Sequence, residues 1–258
     1  LAAAPAVDGD LGDWAGATWT RVPIQPAEDK EEVKAVGNIE VELAAGVRGG
    51  IFYVAARWPD THADEVYRPW RIFGGKYRRS DDRDDAFALR LHMDGDYDKC
   101  MITSKTYKVD VWLWSAGRSN PAGMADDYHH LISSSPLEDA AEHKTPSGAT
   151  VYIKKNRDEG TPGWENTRAP KEVTTDQLPG VAVVANPSGS AADITAKGKW
   201  AGGKWSLEMS RKLDTGHPDD AVLKAGAKST GAIAVFNHSH SDNKSVSGLL
   251  EFDFSAVK

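Results

Sequence analysis

The sequence predicts an all-β protein, an antiparallel β-sandwich with short helices in long loops. Three observations carry that prediction: apolar residues recur with period two in several stretches, turn-forming clusters separate them, and no long amphipathic helical pattern occurs. In chain order, "GGIFYVAARW" (49–58) is continuously apolar, as suits a central strand covered on both faces. In "DAFALRLHM" (85–93) Phe87, Leu89, Leu91 and Met93 share one face, and "DVWLW" (110–114) puts Trp112 and Trp114 together on another. "ATVYIKK" (149–155) is a further short strand pattern, and in "KWSLEMSRKL" (204–213) Trp205, Leu207, Met209 and Arg211 share a face. "GAIAVFNHSH" (231–240) and "GLLEFDF" (248–254) supply two late strands. The turn clusters are "DGDLGD", "MDGDYD", "NPAG" and "AGGK".

With 258 residues, 40% of them hydrophobic, the chain is long enough for one large β domain spanning 1–258. A formal net charge of -7 and the lack of a basic stripe argue against nucleic acid. No apolar run reaches the ~18 residues of a membrane span. Cys100 is the single cysteine, which excludes an intrachain disulfide, a cysteine zinc cluster and a C-x-x-C-H haem attachment. Nine tryptophans suit binding faces as well as cores. The opening "LAAAPAVDG" reads as the small-residue remnant after a signal-peptidase site, so an exported protein is expected. Residues 59–84, which mix aromatics with Arg and Lys, and the long stretch 115–190 are expected to meet a partner.

Catalytic motifs are missing: there is no G-x-S-x-G, no H-E-x-x-H and no Gly-rich phosphate loop, so no catalytic site of its own is expected. Asp94, Asp96 and Asp98 begin like a calcium loop, but Lys99 and Lys105 stand where its glycine and bidentate Glu belong. "DDRDD" (81–85) reads as a solvated strand entry. His238 and His240 sit at i and i+2, a spacing that can hold a metal or simply end a strand in solvent.

Two resemblances follow from quoted stretches. "VDGDLGDWAGATW" (7–19) resembles the first strands of family 9 carbohydrate-binding modules. "DVWLWSAGRSNPAGMADD" (110–127), "LEMSRKLDTGHPDD" (207–220) and "AIAVFNHSHSDNKSVSG" (232–248) resemble, more specifically, the haem b-binding gamma subunits of the ethylbenzene dehydrogenase, dimethylsulfide dehydrogenase, selenate reductase and chlorate reductase group of the type II DMSO reductase family. The second resemblance implies a non-catalytic periplasmic electron-transfer subunit holding one non-covalent haem b. Its implied partners are an iron-sulfur beta subunit, a molybdopterin catalytic alpha subunit and a soluble periplasmic cytochrome or similar carrier.

It also implies a methionine and a lysine as axial ligands of the iron. Met101, in the strand-like stretch before "DVWLW", takes the first role, with Met124 as runner-up and Met93 and Met209 as core. Lys244, at the start of the last strand, takes the second, with Lys212 as rival; on the alternation Lys212 faces away from Met209. Trp112 and Trp114, one strand-step from Met101, either wall the porphyrin or join a core shared with the opposite sheet. Arg118 is placed to pair with a propionate, because its planar fork suits carboxylates. The alternative function is a carbohydrate-binding module with a tryptophan sugar platform and structural calcium. Composition alone does not choose between the two.

Overall fold

The computed structural model describes residues 1–27, 36–239 and 243–257. Among them the strands are β1 (Thr20–Pro26), β2 (Ile39–Arg48), β3 (Ile51–Pro59), β4 (Trp70–Phe73), β5 (Lys76–Arg79), β6 (Ala86–Gly95), β7 (Tyr107–Ser115), β8 (Asp126–Ser133) and β9 (Ala141–Lys144). There follow β10 (Thr150–Arg157), β11 (Trp164–Asn166), β12 (Gln177–Leu178), β13 (Val181–Val183), β14 (Thr195–Ala201), β15 (Lys204–Lys212), β16 (Lys228–Phe236), β17 (Ser245–Ser247) and β18 (Leu250–Asp253). One antiparallel sheet runs β14-β15-β3-β2-β1-β17-β16-β6-β7-β8-β10-β9, with β18 also paired to β16.

This sheet doubles over near the β1–β17 pairing, so that its two halves face each other as a sandwich. The inward positions are those that the period-two patterns single out. Phe52, Trp58 and Leu207 from one half meet Phe87, Leu89, Trp112 and Ile233 from the other in a single core. Phe52 stands edge-on to Trp112 at 5.9 Å between ring centres, and Trp58 stacks on Phe87 at 5.4 Å. Each such ring or branched side chain contributes about 1.5–3 kcal/mol by leaving water. Gly198 of β14 lies so close to Trp114 that an added Cβ would stand 2.3 Å from the indole, so no larger residue fits there.

The second face of β3 is also covered, which is why its sequence has no polar side. Trp14 packs there against Ala44, Tyr53 and Ala55. Here the expectation of opening strands is corrected: "DGDLGDW" is a loop with one 3-10 turn, Leu11–Trp14, capped by the Asp10 side chain. Glu208 anchors it, accepting from Trp14 Nε1 at 2.7 Å and from the Gly9 amide at 2.8 Å. A buried carboxylate with several N–H donors holds an irregular segment as firmly as a ladder would.

Other expectations change for equally local reasons. The stretches 59–84 and 115–190 contain more strand than their patterns suggest: β4 and β5 lie in the first, and in the second β8 and β10 carry polar side chains on faces that are buried or that line a cavity. "DDRDD" is not a solvated strand entry. Asp84 and Asp85 are fully buried, Asp84 accepting from the Gly117 amide at 3.0 Å and Asp85 from Trp205 Nε1 at 3.0 Å. Cys100 and Met101 lie in the loop between β6 and β7, not in a strand. Lys244 directly precedes β17, which is followed by one further strand. The Lys105 ammonium stands 3.4 Å from Asp96 and 3.6 Å from Asp98, so a cation of the chain itself faces those carboxylates.

Arg211, on the apolar face of β15, is fully buried and sits over the Trp112 ring at 4.8 Å. Its guanidinium pairs with Asp110 (2.5 Å), Asp220 (2.8 Å) and Asp127 (3.2 Å), all buried. Three carboxylates for one cation leave excess negative charge, and burial pushes the Asp220 carboxyl up to about 6 and the Asp127 carboxyl well above the usual range.

Removing the cation from such a cluster strands buried charge. Arg211→Leu is expected to cost about 3–5 kcal/mol, read from the urea midpoint. The raised Asp220 carboxyl makes its stabilising contribution below its unfolded pKa and loses it as pH rises through about 6. The stability of Asp220→Asn relative to the natural chain should therefore improve between pH 4.5 and 7.5. A relative stability independent of pH over that range would exclude Asp220 as the titrating group.

Candidate functional site

The outer face of the second half-sheet carries a cavity of about 730 Å³. Alternation creates its floor. While Phe87, Leu89, Ile233 and Val235 point into the core, Ala86, Ala88, Ala232 and Ala234 point the other way, and Val111 and Leu113 of β7 continue the same surface. Small side chains on neighbouring strands leave a broad, shallow and apolar bed. Volumes of this size suit a small-molecule ligand.

Loops build the walls. On one side stands the β6–β7 loop with Cys100, Met101 and Ile102, and on another the turn between β9 and β10 with Lys144, Thr145 and Pro146. The end of β1 and the segment from Lys244 to Val246 complete the rim. The Met101 loop is fastened from below: Tyr107 donates its hydroxyl to the Cys100 carbonyl at 3.0 Å, and Arg90 Nη1 donates to the Lys99 carbonyl at 3.2 Å. Met101 and Ile102 pack beside the cluster of Tyr97, Tyr107, Val109, Val111 and Ile132. Lys244 has its ammonium 5.9 Å from the centre of the Phe236 ring and its carbonyl bonded to the Ala27 amide at 2.8 Å.

The cavity thus brings Met101 and Lys244 into one site. It does not include the rivals. Lys212 is exposed at the end of β15, Met209 is buried in the core, Met93 packs against that core, and Met124 is buried where it bridges to Thr195. Trp112 and Trp114 are also absent from the site. Both are fully buried between the sheets, because on β7 they alternate with Val111 and Leu113, and it is the latter that face the cavity. Trp114 donates Nε1 to Asn120 at 3.0 Å and meets Trp205 at 5.0 Å.

Arg118 does reach the cavity wall, yet its charge is already engaged. Nε lies 3.1 Å from Asp84, and the guanidinium sits over Tyr67 at 4.5 Å. His238 Nδ1 stands 3.1 Å from Asp64, and His240 lies outside the described residues.

Sequence reasoning missed His130 and the basic side chains of the cavity. His130 on β8 lines it with a buried Nδ1 that has no hydrogen-bond partner, and burial together with Arg90 and Lys155 holds the imidazole well below its usual pKa, so it is neutral. Arg90, Lys99, Arg118, Lys144, Lys155 and Lys244 all line the cavity, and among the described residues no carboxylate does. In a chain of net charge -7 this is a local inversion of sign. Its chemistry fits a flat, apolar ligand with acidic groups at its edge, and the thioether and amine are donors for a transition-metal ion.

A family profile described as ethylbenzene dehydrogenase matches residues 12–246. Among curated proteins, none matches the chain. A solved structure of a provisionally assigned carbohydrate-binding protein from Bacteroides uniformis is similar with 8% identity and a TM-score of 0.43, covering 95% of this chain and 85% of that one.

If the alanine floor is what admits a ligand, filling it must close the site. Ala88→Phe should abolish uptake of an environment-sensitive apolar dye while changing unfolding stability by about 1 kcal/mol or less. Unchanged dye uptake by a folded variant would place the binding surface elsewhere.

Proposed function

The chain belongs to the ethylbenzene dehydrogenase family, and on that premise we propose that it is a non-catalytic, periplasmic electron-transfer subunit of a molybdenum oxidoreductase complex, with haem b in the cavity described above. The observation that carries this reading is the meeting of Met101 and Lys244 in one cavity that has an apolar floor, a cationic surround and no carboxylate among its described lining residues.

The residues present suit the group. Haem is flat and apolar with two propionates, and the floor is flat and apolar with basic side chains about it. A b-type haem lacks thioether bonds to the chain, and the lone Cys100 cannot supply the paired attachment of a c-type site. When bound, haem supplies a one-electron couple, and its potential is set by axial ligands and burial. The Met101 thioether is a soft donor that favours the reduced metal, and the pinned β6–β7 loop holds it in place. Lys244 ligates only as the neutral amine. Against a free pKa of about 10.4, deprotonation costs about 4–5 kcal/mol at neutral pH, which metal bonding must offset.

Partner contact fits the small sheet of β4, β5 and β12, which projects aromatic and basic side chains; Phe73 there is 65% exposed. An iron-sulfur subunit docking on it, a catalytic molybdenum subunit beyond, and a soluble carrier on the haem side complete the proposed chain of transfer. The carbohydrate alternative would draw its sugar platform from Trp19, Trp70 or Trp200, which are partly exposed, because the other six tryptophans are buried.

Reconstitution with ferric haem tests the reading. The expected product has a six-coordinate low-spin b-type spectrum, with haem extractable by acidified organic solvent. Met101→Ala should give a high-spin or water-ligated iron and a lower potential, and Lys244→Ala should perturb the second axial position. Met124→Ala should leave the spectrum unchanged, and Lys212→Ala should alter stability by less than about 0.5 kcal/mol. A protein that takes up no haem, or whose spectrum responds at Met124 or Lys212 instead, contradicts the assignment.

A further inference from the structure

The excess of positive charge around the cavity is not spread evenly. On the sheet face, Arg90 of β6 is opposite Val111 of β7, and Val111 is opposite Tyr128 of β8. His130 is the next residue of β8 on that face, and it is directly opposite Lys155 of β10. Arg90, His130 and Lys155 are therefore neighbours on one side of the floor, and all three line the cavity.

Two of them hold polar atoms that the fold leaves unused. Arg90 Nε and His130 Nδ1 are both buried, and neither has a hydrogen-bond partner. The other Arg90 nitrogens are occupied, Nη1 by the Lys99 carbonyl at 3.2 Å and Nη2 by the Tyr107 hydroxyl at 3.3 Å. Those bonds, with the Tyr97 and Tyr107 rings at 5.6 and 5.9 Å, fix the guanidinium without neutralising it. Among the described residues no carboxylate forms an ion pair with Arg90 or Lys155. A buried donor left unmade is costly, and a fixed cation without a counter-charge is more so. Arg118 differs, because Asp84 already answers its charge.

We propose that Arg90, His130 and Lys155 form a carboxylate anchor that takes an acidic edge group of the cavity's ligand, which under the haem reading on which this rests is a propionate. Arg90 offers its fixed positive charge, His130 a ring nitrogen, and Lys155 an ammonium from the strand beside His130. The anchor would fix the in-plane orientation of a flat ligand, which Met101 and Lys244 alone would leave free. It also replaces Arg118 as the propionate partner expected from the sequence.

Ferric protoporphyrin IX and its dimethyl ester separate the possibilities, since they share the ring and the metal but only the first carries carboxylates. Both are titrated into the intact protein and followed by Soret absorbance at low ionic strength. The free acid is expected to bind about tenfold to a hundredfold more tightly than the ester. That gap should narrow in Lys155→Gln, whose exposed side chain can be changed without disturbing the fold and whose ester affinity should be unchanged, and narrow further in Arg90→Gln, where loss of the bond to the Lys99 carbonyl should also weaken the binding of both porphyrins. Lys212→Gln should keep the full gap. Equal affinity for acid and ester, or a gap that survives both substitutions, overturns the anchor while leaving the haem reading intact. Failure of both porphyrins to give a ligated spectrum overturns the haem reading, and the propionate assignment with it.

Discussion

Everything in this molecule depends on one half-sheet having to serve two surfaces at once. Strands β6, β7 and β16 must bury large side chains on one face to close the sandwich and present small ones on the other to leave a bed. Phe87, Leu89, Trp112, Ile233 and Val235 meet the first requirement, and Ala86, Ala88, Ala232 and Ala234 the second. A one-residue slip in any of these strands would exchange the two faces, filling the bed and hollowing the core. The large side chains in the core therefore fix the register that keeps the cavity open.

That division explains what could be read in advance. The faces of 85–93 and 204–213 were legible because burial against an apolar partner writes a strong period-two signal, and the double coverage of β3 because it writes an unbroken one. The meeting of Met101 with Lys244 was available only through family resemblance, since one lies in a loop and the other beside a seam between distant strands. The alanine bed was silent, because alanine carries no pattern of its own. The tryptophans misled for the opposite reason: large rings attract a functional reading, but their place in the alternation belonged to the core.

The basic side of the cavity was illegible for a topological reason. Arg90, His130 and Lys155 come from three strands, and only the registers of β6 with β7, β7 with β8 and β8 with β10 bring them together. "YHHLIS" did offer a sign, a histidine pair in a strand pattern, but nothing local distinguishes His129, which bonds Asp158 at 2.5 Å, from His130, whose Nδ1 bonds nothing. Arg211 shows the same limit. Its place on an apolar face was visible, whereas its three aspartates come from β7, β8 and the segment after β15.

The insertion of β17 between β1 and β16 carries a consequence for the order of assembly. The Met101 loop joins two adjacent strands and closes over a short span, so its entropy cost is small and it can form early. Lys244 reaches its position only when Ser245 has paired with Pro26 on one side and with Val235 on the other, a junction that draws the two ends of the chain together. One wall of the cavity is thus a local product of folding and the other a late one. A ligand held by both would act as a clasp across a contact between distant parts of the chain, resisting slippage of the β1–β17 seam.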